Sequence, residues 1–447
     1  MIDLGRCRWQ IIATLEMGIM MLAHGMALGW LSAMYLYLSS DNTPLDEKLT
    51  VYQASWTGSL IAIGGLFGNV SIGIPLYYLG RKPIMYFLAF PNAIHWILIY
   101  FGTNVIYLYV ARFFAGVSGG CVLSVFPVFI SEIADSNIRG ALTSTIVCAT
   151  STGILLGYIL GYFLDYKVLP CVILLLPTIY LISITFLPET PFFLLKAGKT
   201  EKAEKSFYFY KHLPHEDSES KKQFKEFEER LSNEGTVDIV TINDYCNKEA
   251  WKAYGLIFVL LCTHQMSGNF AIVTYATTIF RHLNNDFEVN LSAIGLGVAQ
   301  LLGMISAIFL VDRVGRRILL LSSMGGMAGG ELTIAGLKYF ASKQFLKEYG
   351  WFGLATMCFI IFVAGMGVGS LTFLVVVELL PNKIISIGCS TSMCLLSILA
   401  FTALKIYPIM MAEHGLGPTM IMSASVCVVA LIILGIFLPE TKNKQLA

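Results

Sequence analysis

A chain of 447 residues in which 56% are hydrophobic and only 13% charged, with a mean hydropathy of +0.70, carries about half the charge density of a soluble domain and belongs in a bilayer. The formal net charge of +1 and a sequence pI near 7.5 give no electrostatic footprint for nucleic acid or for an acidic partner. Of the ten cysteines, nine fall in or beside apolar segments and Cys246 lies in a hydrophilic stretch, a distribution of small core hydrophobes rather than of a disulfide set.

The first apolar stretch, from about Trp9 to Leu38 and centred near Met21, has no small-residue cleavage site, which predicts an uncleaved first span rather than a signal peptide. Runs of roughly 18 or more apolar residues then centre near Leu66, Ile94, Gly119, Leu155 and Ile179. After a break they resume near Cys262, Leu301, Met324, Ala364, Leu396 and Ala430. The spacing predicts six spans over residues 1–195, a cytoplasmic linker over 196–250 and six further spans over 251–447. Lys, Glu and Asp dominate the linker, and its fragments Phe207-Tyr208-Phe209-Tyr210 and Phe224-Lys225-Glu226-Phe227 predict short amphipathic surface helices.

Cations mark the sides of the membrane. Arg81, Lys82, Arg139, Arg313, Arg316, Arg317 and Lys383 fall in alternate loops, with Arg6, Arg8, Lys442 and Lys444 near the ends, whereas the other loops carry Asp41, Glu47, Asp165, Asp286 and Glu288. The positive-inside rule therefore predicts both termini on the cytoplasmic side. Arg139 and the run Asp312-Arg313-Val314-Gly315-Arg316-Arg317 lie about half a chain apart, each wedged between long apolar stretches. Such repetition predicts a transporter built from two repeats.

The short loops Gly80-Arg81-Lys82 and Gly315-Arg316-Arg317 occupy equivalent places in the two halves. Glycine permits the tight turn, while the cations can meet helix C-terminal carbonyls and neighbouring carboxylates. A candidate partner lies near each, Glu132 in the first half and Glu378 in the second. Charges so placed predict an inter-helix latch that holds one face closed and separates when that face opens.

On these motifs the chain resembles the sugar porter family of the major facilitator superfamily, and within it the arthropod trehalose- and glucose-type facilitators. In the first half the resemblance rests on Leu79-Gly80-Arg81-Lys82, Arg112 with Gly116 and Gly119-Gly120, Glu132 followed by Arg139-Gly140-Ala141-Leu142, and Pro188-Glu189-Thr190-Pro191. In the second half it rests on Gln265-Met266-Ser267-Gly268, the Asp312 to Arg317 run, Glu378 and Pro439-Glu440-Thr441-Lys442. Leu28-Gly29-Trp30 in the first span is the arthropod-like feature. The resemblance covers nearly the whole chain. It implies an all-α membrane protein, twelve transmembrane helices in two six-helix bundles, with a substrate site at mid-membrane and alternating access by rocking. The latch it implies comprises Arg81, Arg112, Glu132, Arg139, Asp312, Arg313, Arg316, Arg317 and Glu378.

Departures from the family pattern gather where a sugar would be held. Val147 stands for the fifth-span Gln, His264 for the first Gln of the seventh-span pair, Phe270 for an Asn, and Phe373 and Ser397 for two Trp positions; Ile385 stands for the Arg expected after Glu378. What remains still suits a polyhydroxylated ligand. Gln265 and Asn269, one helical turn apart on one face of the seventh span, are candidate ligands with Tyr275, Gln300, Phe373 and His264, and Thr278 lies nearby. Amides pair a donor and an acceptor with vicinal hydroxyls, and an aromatic face covers the C–H surface of a sugar.

The first-span position where a symporter of this family carries an acid is Ala27. Glu16 and His24 share that span, but they lie two turns apart with an offset of about 80° around the helix, which aligns a proton relay poorly. His95, Glu331 and Lys405 are further intramembrane polar residues without an evident partner. The chain shows no nucleotide loop, metal cluster or nucleophile triad, so no enzyme activity and no cofactor is expected. The sequence reading is a facilitative carrier of a small sugar, a hexose, trehalose or related polyol, in a lipid bilayer, integral and multi-pass, at the plasma membrane. Its alternatives are a sugar-binding, transporter-like sensor and a proton-coupled symporter using Glu16 and His24.

Overall fold

Inside hydrocarbon every peptide N–H and C=O must find its partner within the chain, so long apolar runs fold as helices. A computed structural model describes residues 7–214, 217–233, 248–283, 287–342, 344, 348–381 and 384–440. Among the described residues twelve helical stretches are long and apolar enough to cross a membrane, and each contains one of the expected centres.

The first bundle holds α1 (Arg8–Leu38), α2 (Val51–Leu79), α3 (Arg81–Phe101), α4 (Val105–Ile133), α5 (Ser136–Phe163) and a sixth span divided into α6 (Val168–Ile173) and α7 (Leu175–Ser183). Three linker helices follow: α8 (Pro191–Lys196), α9 (Thr200–Lys211) and α10 (Ser218–Asn233). The second bundle begins with α11 (Lys248–Met266), α12 (Asn269–Thr274) and α13 (Ala276–Leu283), which together make its first span. It continues through α14 (Val289–Val314), α15 (Arg316–Phe340), α16 (Gly350–Met366), α17 (Val368–Leu379), α18 (Ile385–Glu413) and α19 (Leu416–Phe437). Within the bundles α1 packs on α5, α2 on α4, α14 on α16 and α15 on α19; between them α2 packs on α18 and α5 on α14.

One expectation is corrected here. Gln265 and Asn269 do not share one face of a continuous helix, because α11 ends at Met266 and Gly268 takes φ 82° before α12 starts at Asn269. Glycine adopts that left-handed conformation without the Cβ penalty, so the span breaks there. The tenth span also breaks, at Gly367, between α16 and α17.

In the linker the fragments expected to be amphipathic helices lie in α9 and α10. Its helix α9 lies on the first bundle, where Tyr210 donates through its hydroxyl to the Pro188 carbonyl at 2.7 Å and accepts at its own carbonyl from Gln10 Nε2 at 3.3 Å. Trp9 and Phe209 stack alongside, with ring centroids 4.6 Å apart. Asp135, in the turn between α4 and α5, receives Gln10 Nε2 at 3.1 Å and pairs with Lys211 of α9. Burial alone would raise the Asp135 carboxyl, but the hydrogen bond and charge of Lys211, together with Gln10 and Arg139, hold it below the usual carboxylate range. A lowered folded-state value means that this contribution is complete above the unfolded-chain value of about 4 and is lost as pH falls through the folded one. Asp135→Asn is expected to lower the melting temperature at neutral pH by an amount equivalent to at most about 1 kcal/mol. In a pH series the gap between variant and parent should close below pH ~4.

Candidate functional site

The face that carries the linker is built from one device used twice. At Gly80, with φ 95°, the chain turns from α2 into α3, and the first two N–H groups of α3, those of Arg81 and Lys82, donate to the two oxygens of Glu189 at 3.1 and 3.0 Å. At Gly315, with φ 96°, Arg316 and Arg317 donate in the same way to Glu440 at 3.0 and 3.2 Å. Each carboxylate thus satisfies orphan donors at a helix N-terminus and meets the positive end of its dipole. The sequence reading quoted Glu189 and Glu440 as signature residues without a role; their repetition in two Pro-Glu-Thr motifs was the signal.

The predicted carboxylates complete the network. Arg81 Nε donates to Glu132 at 3.0 Å and its Nη2 makes a second contact, while Thr190 donates to the other Glu132 oxygen at 2.6 Å. In the second half Arg316 Nε lies 3.5 Å from Glu378, and Arg317 reaches the Gly435 carbonyl at 2.5 Å. Glu378 therefore keeps a cation although Ile385 stands where an Arg was expected. Both clusters lie within their own bundles. Arg139 is exposed and donates to the Ala134 carbonyl of its own turn at 3.3 Å. Arg313 is exposed in the last turn of α14, and the Asp312 side chain lies outside the described residues.

Arg112 does not belong to this face. Fully buried in α4, it donates from Nε to the Thr57 carbonyl of α2 at 3.0 Å and from Nη1 to the Ala27 carbonyl of α1, and Nη2 has no hydrogen-bond partner. With alanine at position 27 there is no carboxylate for it to meet, and main-chain oxygens take the place. Near it His24 is buried against Gly119 of α4, with Nδ1 unpartnered, and Glu16 is half-buried toward the linker face. His95, expected without a partner, sets Nδ1 2.9 Å from the Ala111 carbonyl.

The candidate ligands sit around the two helix breaks of the second bundle. Gln265, Asn269 and Gln300 are buried, and their side-chain oxygens have no hydrogen-bond partner; the same holds for His264 Nδ1 and Thr278 Oγ1. A Cβ placed on Gly369 of α17 would lie 3.0 Å from Met304 Cε and 3.7 Å from Asn269 Nδ2, so α12, α14 and α17 converge there. Gln300 lies one turn before Met304, and Phe373 one turn after Gly369. The Phe373 ring meets that of His264 edge to face at 5.3 Å. Tyr275 is the exception: its hydroxyl donates to the Leu404 carbonyl at 3.0 Å and abuts Gly58 of α2. It is spent on closing the protein rather than open to a ligand.

That closure lies on the face opposite the linker. Thr277 of α13 donates twice to Ser32 of α1, from its N–H to Ser32 Oγ at 3.1 Å and from its hydroxyl to the Ser32 carbonyl at 2.5 Å. Tyr158 of α5 donates to the Val273 carbonyl at 2.5 Å, and Tyr162 to Glu288 at 3.1 Å. Lys405 of α18, expected to lack a partner, is the cation of a cage contributed by α2. Its Nζ lies 2.9 Å from Ser55 Oγ, 4.2 Å from the Tyr52 ring centre and 3.9 Å from that of Trp56. Nothing short-range in the sequence marks a pair 350 residues apart.

A profile described as sugar (and other) transporter matches residues 16–447. A facilitated trehalose transporter, Tret1, of Culex quinquefasciatus is 29% identical over 98% of this chain and 84% of that protein. The Tret1 of Bombyx mori is 27% identical over 98% of this chain and 85% of that protein. Among solved structures, the inward-open conformation of the xylose transporter XylE from E. coli superposes with a TM-score of 0.80 at 20% identity, covering 98% of both chains. Its partially occluded inward-open conformation gives 0.76 at 18%, over 96% of this chain and 99% of that one.

The Lys405 cage yields a direct test. A partly desolvated cation over aromatic faces contributes on the order of 1–2 kcal/mol, so Lys405→Met should shift the balance toward opening of this face by roughly 5- to 30-fold. Labelling of a cysteine placed at Ser32 by a membrane-impermeant reagent should rise accordingly, and Trp56→Leu should act in the same direction.

Proposed function

We propose, from the premise that this chain belongs to the sugar (and other) transporter family, that it carries a small sugar across the membrane down its gradient by alternating access. The observation that carries the reading is the group of buried oxygens on Gln265, Asn269 and Gln300 left without partners around the helix breaks. A buried acceptor without a donor costs about 1–3 kcal/mol. Three together are offset when ligand hydroxyls fill them, and the edge of Phe373 and His264 supplies an apolar wall for the C–H face of a sugar ring.

Trehalose is the first substrate to test, because the Culex and Bombyx relatives carry that name. The bundles are joined on the face opposite the linker, which supports a state open toward the linker. With cations concentrated on the linker face, that face is cytoplasmic by the positive-inside rule, and both termini lie there. The plasma membrane is the expected location. The Arg81–Glu132 and Arg316–Glu378 clusters brace each bundle as a body, and their approach across the bundles, with Arg139 added, closes the linker face in the alternate state.

The cycle needs no proton. Ala27 offers no titratable group to the buried Arg112, and His24 and Glu16 share no hydrogen bond. In proteoliposomes labelled trehalose or glucose should equilibrate without exceeding the outside concentration, and a protonophore should leave the rate unchanged. Accumulation above equilibrium in an imposed pH gradient, lost in Glu16→Gln, would support proton coupling instead. Binding without uptake would identify a sensor. Gln265→Ala should weaken binding roughly 5- to 150-fold by calorimetry, and an unchanged affinity would remove Gln265 from the site.

A further inference from the structure

A second cavity lies outside the bundle core, at the junction of the first bundle and the linker. It has a volume of about 820 Å³ and is bounded by the start of α3, the end of the sixth span and one face of α9. Four lysines line it, Lys82, Lys199, Lys202 and Lys205, against a single carboxylate, Glu189. That carboxylate is already spent on the N–H groups of Arg81, Lys82 and Thr190. Lys205 meets Glu201 only in an exposed pair within its own helix, at 3.0 Å, a contact of little energetic weight. The floor is apolar, with Tyr86 and Phe209, and the outer lip is formed by Phe186, 74% exposed, and Leu79, 59% exposed. Those two side chains end the second and sixth spans, so the lip is continuous with the surface that meets acyl chains.

A basic recess with an apolar floor, opening at the level where hydrocarbon gives way to headgroups, fits an anionic amphiphile. We propose that it binds an anionic phospholipid of the leaflet on the linker face, one whose headgroup carries phosphate beyond the diester, as a phosphorylated inositol lipid does. The phosphate sits among Lys199, Lys202 and Lys205, and the acyl chains leave over Phe186 and Leu79. The charge arithmetic favours a multivalent headgroup, since Lys199, Lys202 and Lys205 face one anion that is already satisfied, while Lys82 adds its charge from a position fixed by the Thr185 and Leu187 carbonyls. The ligand would tie α9 to the loop that holds Arg81 and Glu189, and so would couple lipid composition to the brace on the linker face. A soluble phosphate shares the headgroup chemistry but makes no use of the apolar lip.

The test uses the full-length protein in phosphatidylcholine nanodiscs, titrated with phosphatidylinositol monophosphate, with bound lipid counted by native mass spectrometry. The triple variant Lys199→Ala, Lys202→Ala, Lys205→Ala should bind it roughly 100-fold more weakly, at about fivefold per lysine near a membrane surface. Replacement of the same three by arginine should keep binding within a few-fold. Equal binding by the alanine variant and the parent overturns the proposal. Soluble inositol phosphate binding as tightly as the lipid assigns the recess to a free anion and overturns it equally. Should the triple variant melt below the parent in pure phosphatidylcholine, Lys202→Glu alone, at an exposed position, supplies the comparison, with the same loss expected and an unchanged affinity decisive against the idea. Sugar binding at the central residues is measured separately, so failure here leaves the transport reading standing.

Discussion

Each half of the protein depends on a carboxylate that reaches back to hold the first N–H groups of a helix following a tight glycine turn. Glu189 and Glu440 come from the chain just after the last span of each bundle, and they cap α3 and α15 near the start of each bundle's third span. The orphan donors there sit at the edge of hydrocarbon, where water is scarce and an unmatched amide is costly. A single side chain therefore fixes where a helix begins and fastens the end of the bundle to its middle. Arg81 and Arg316, carried by the same turns, extend the fastening to Glu132 and Glu378 on the fourth and tenth spans.

Each bundle closes on itself, and between the bundles α2 packs on α18 and α5 on α14. The polar contacts that join them are gathered away from the linker: Thr277 donating to Ser32, Tyr158 on the Val273 carbonyl, and Lys405 between Tyr52 and Trp56. These are single hydrogen bonds and a cation over rings, each of modest strength. Few and weak bonds suit a junction that must part and reform in every cycle, whereas the networks inside the bundles have no reason to break. The buried Arg112 belongs to the second kind, held by carbonyls of α1 and α2 within one bundle.

Hydropathy made the twelve spans legible, since runs of that length have no other way to satisfy their backbone. The paired loops at Gly80 and Gly315 and their acids Glu132 and Glu378 were legible because charge is rare in such a chain and its positions repeat. Three features were hidden for physical reasons. The break at Gly268 could not be told from sequence, because with 40 glycines in the chain most serve close helix packing and few a left-handed turn. The role of Lys405 depends on α2 and α18 lying side by side, a tertiary fact without local trace. Tyr275 read as a ligand because its chemistry suits one, and only the position of the Leu404 carbonyl shows where its hydroxyl goes.

The two bundles differ in one respect that repetition does not predict. The first and fourth spans, α1 and α4, run unbroken for 31 and 29 residues, while their counterparts, the seventh and tenth, are interrupted at Gly268 and Gly367. In mechanical terms α1 and α4 are unbroken where their counterparts are jointed, although the first half has a divided span of its own, the sixth, at α6 and α7. An unbroken helix resists bending along its length, less so in α4 where Pro127 removes one hydrogen bond of the ladder, and a joint concentrates compliance at a few dihedral angles. Both joints fall beside the unpartnered amides and the His264–Phe373 pair. Local compliance near these side chains is thus concentrated at the two joints, while α1 and α4 lack such a break.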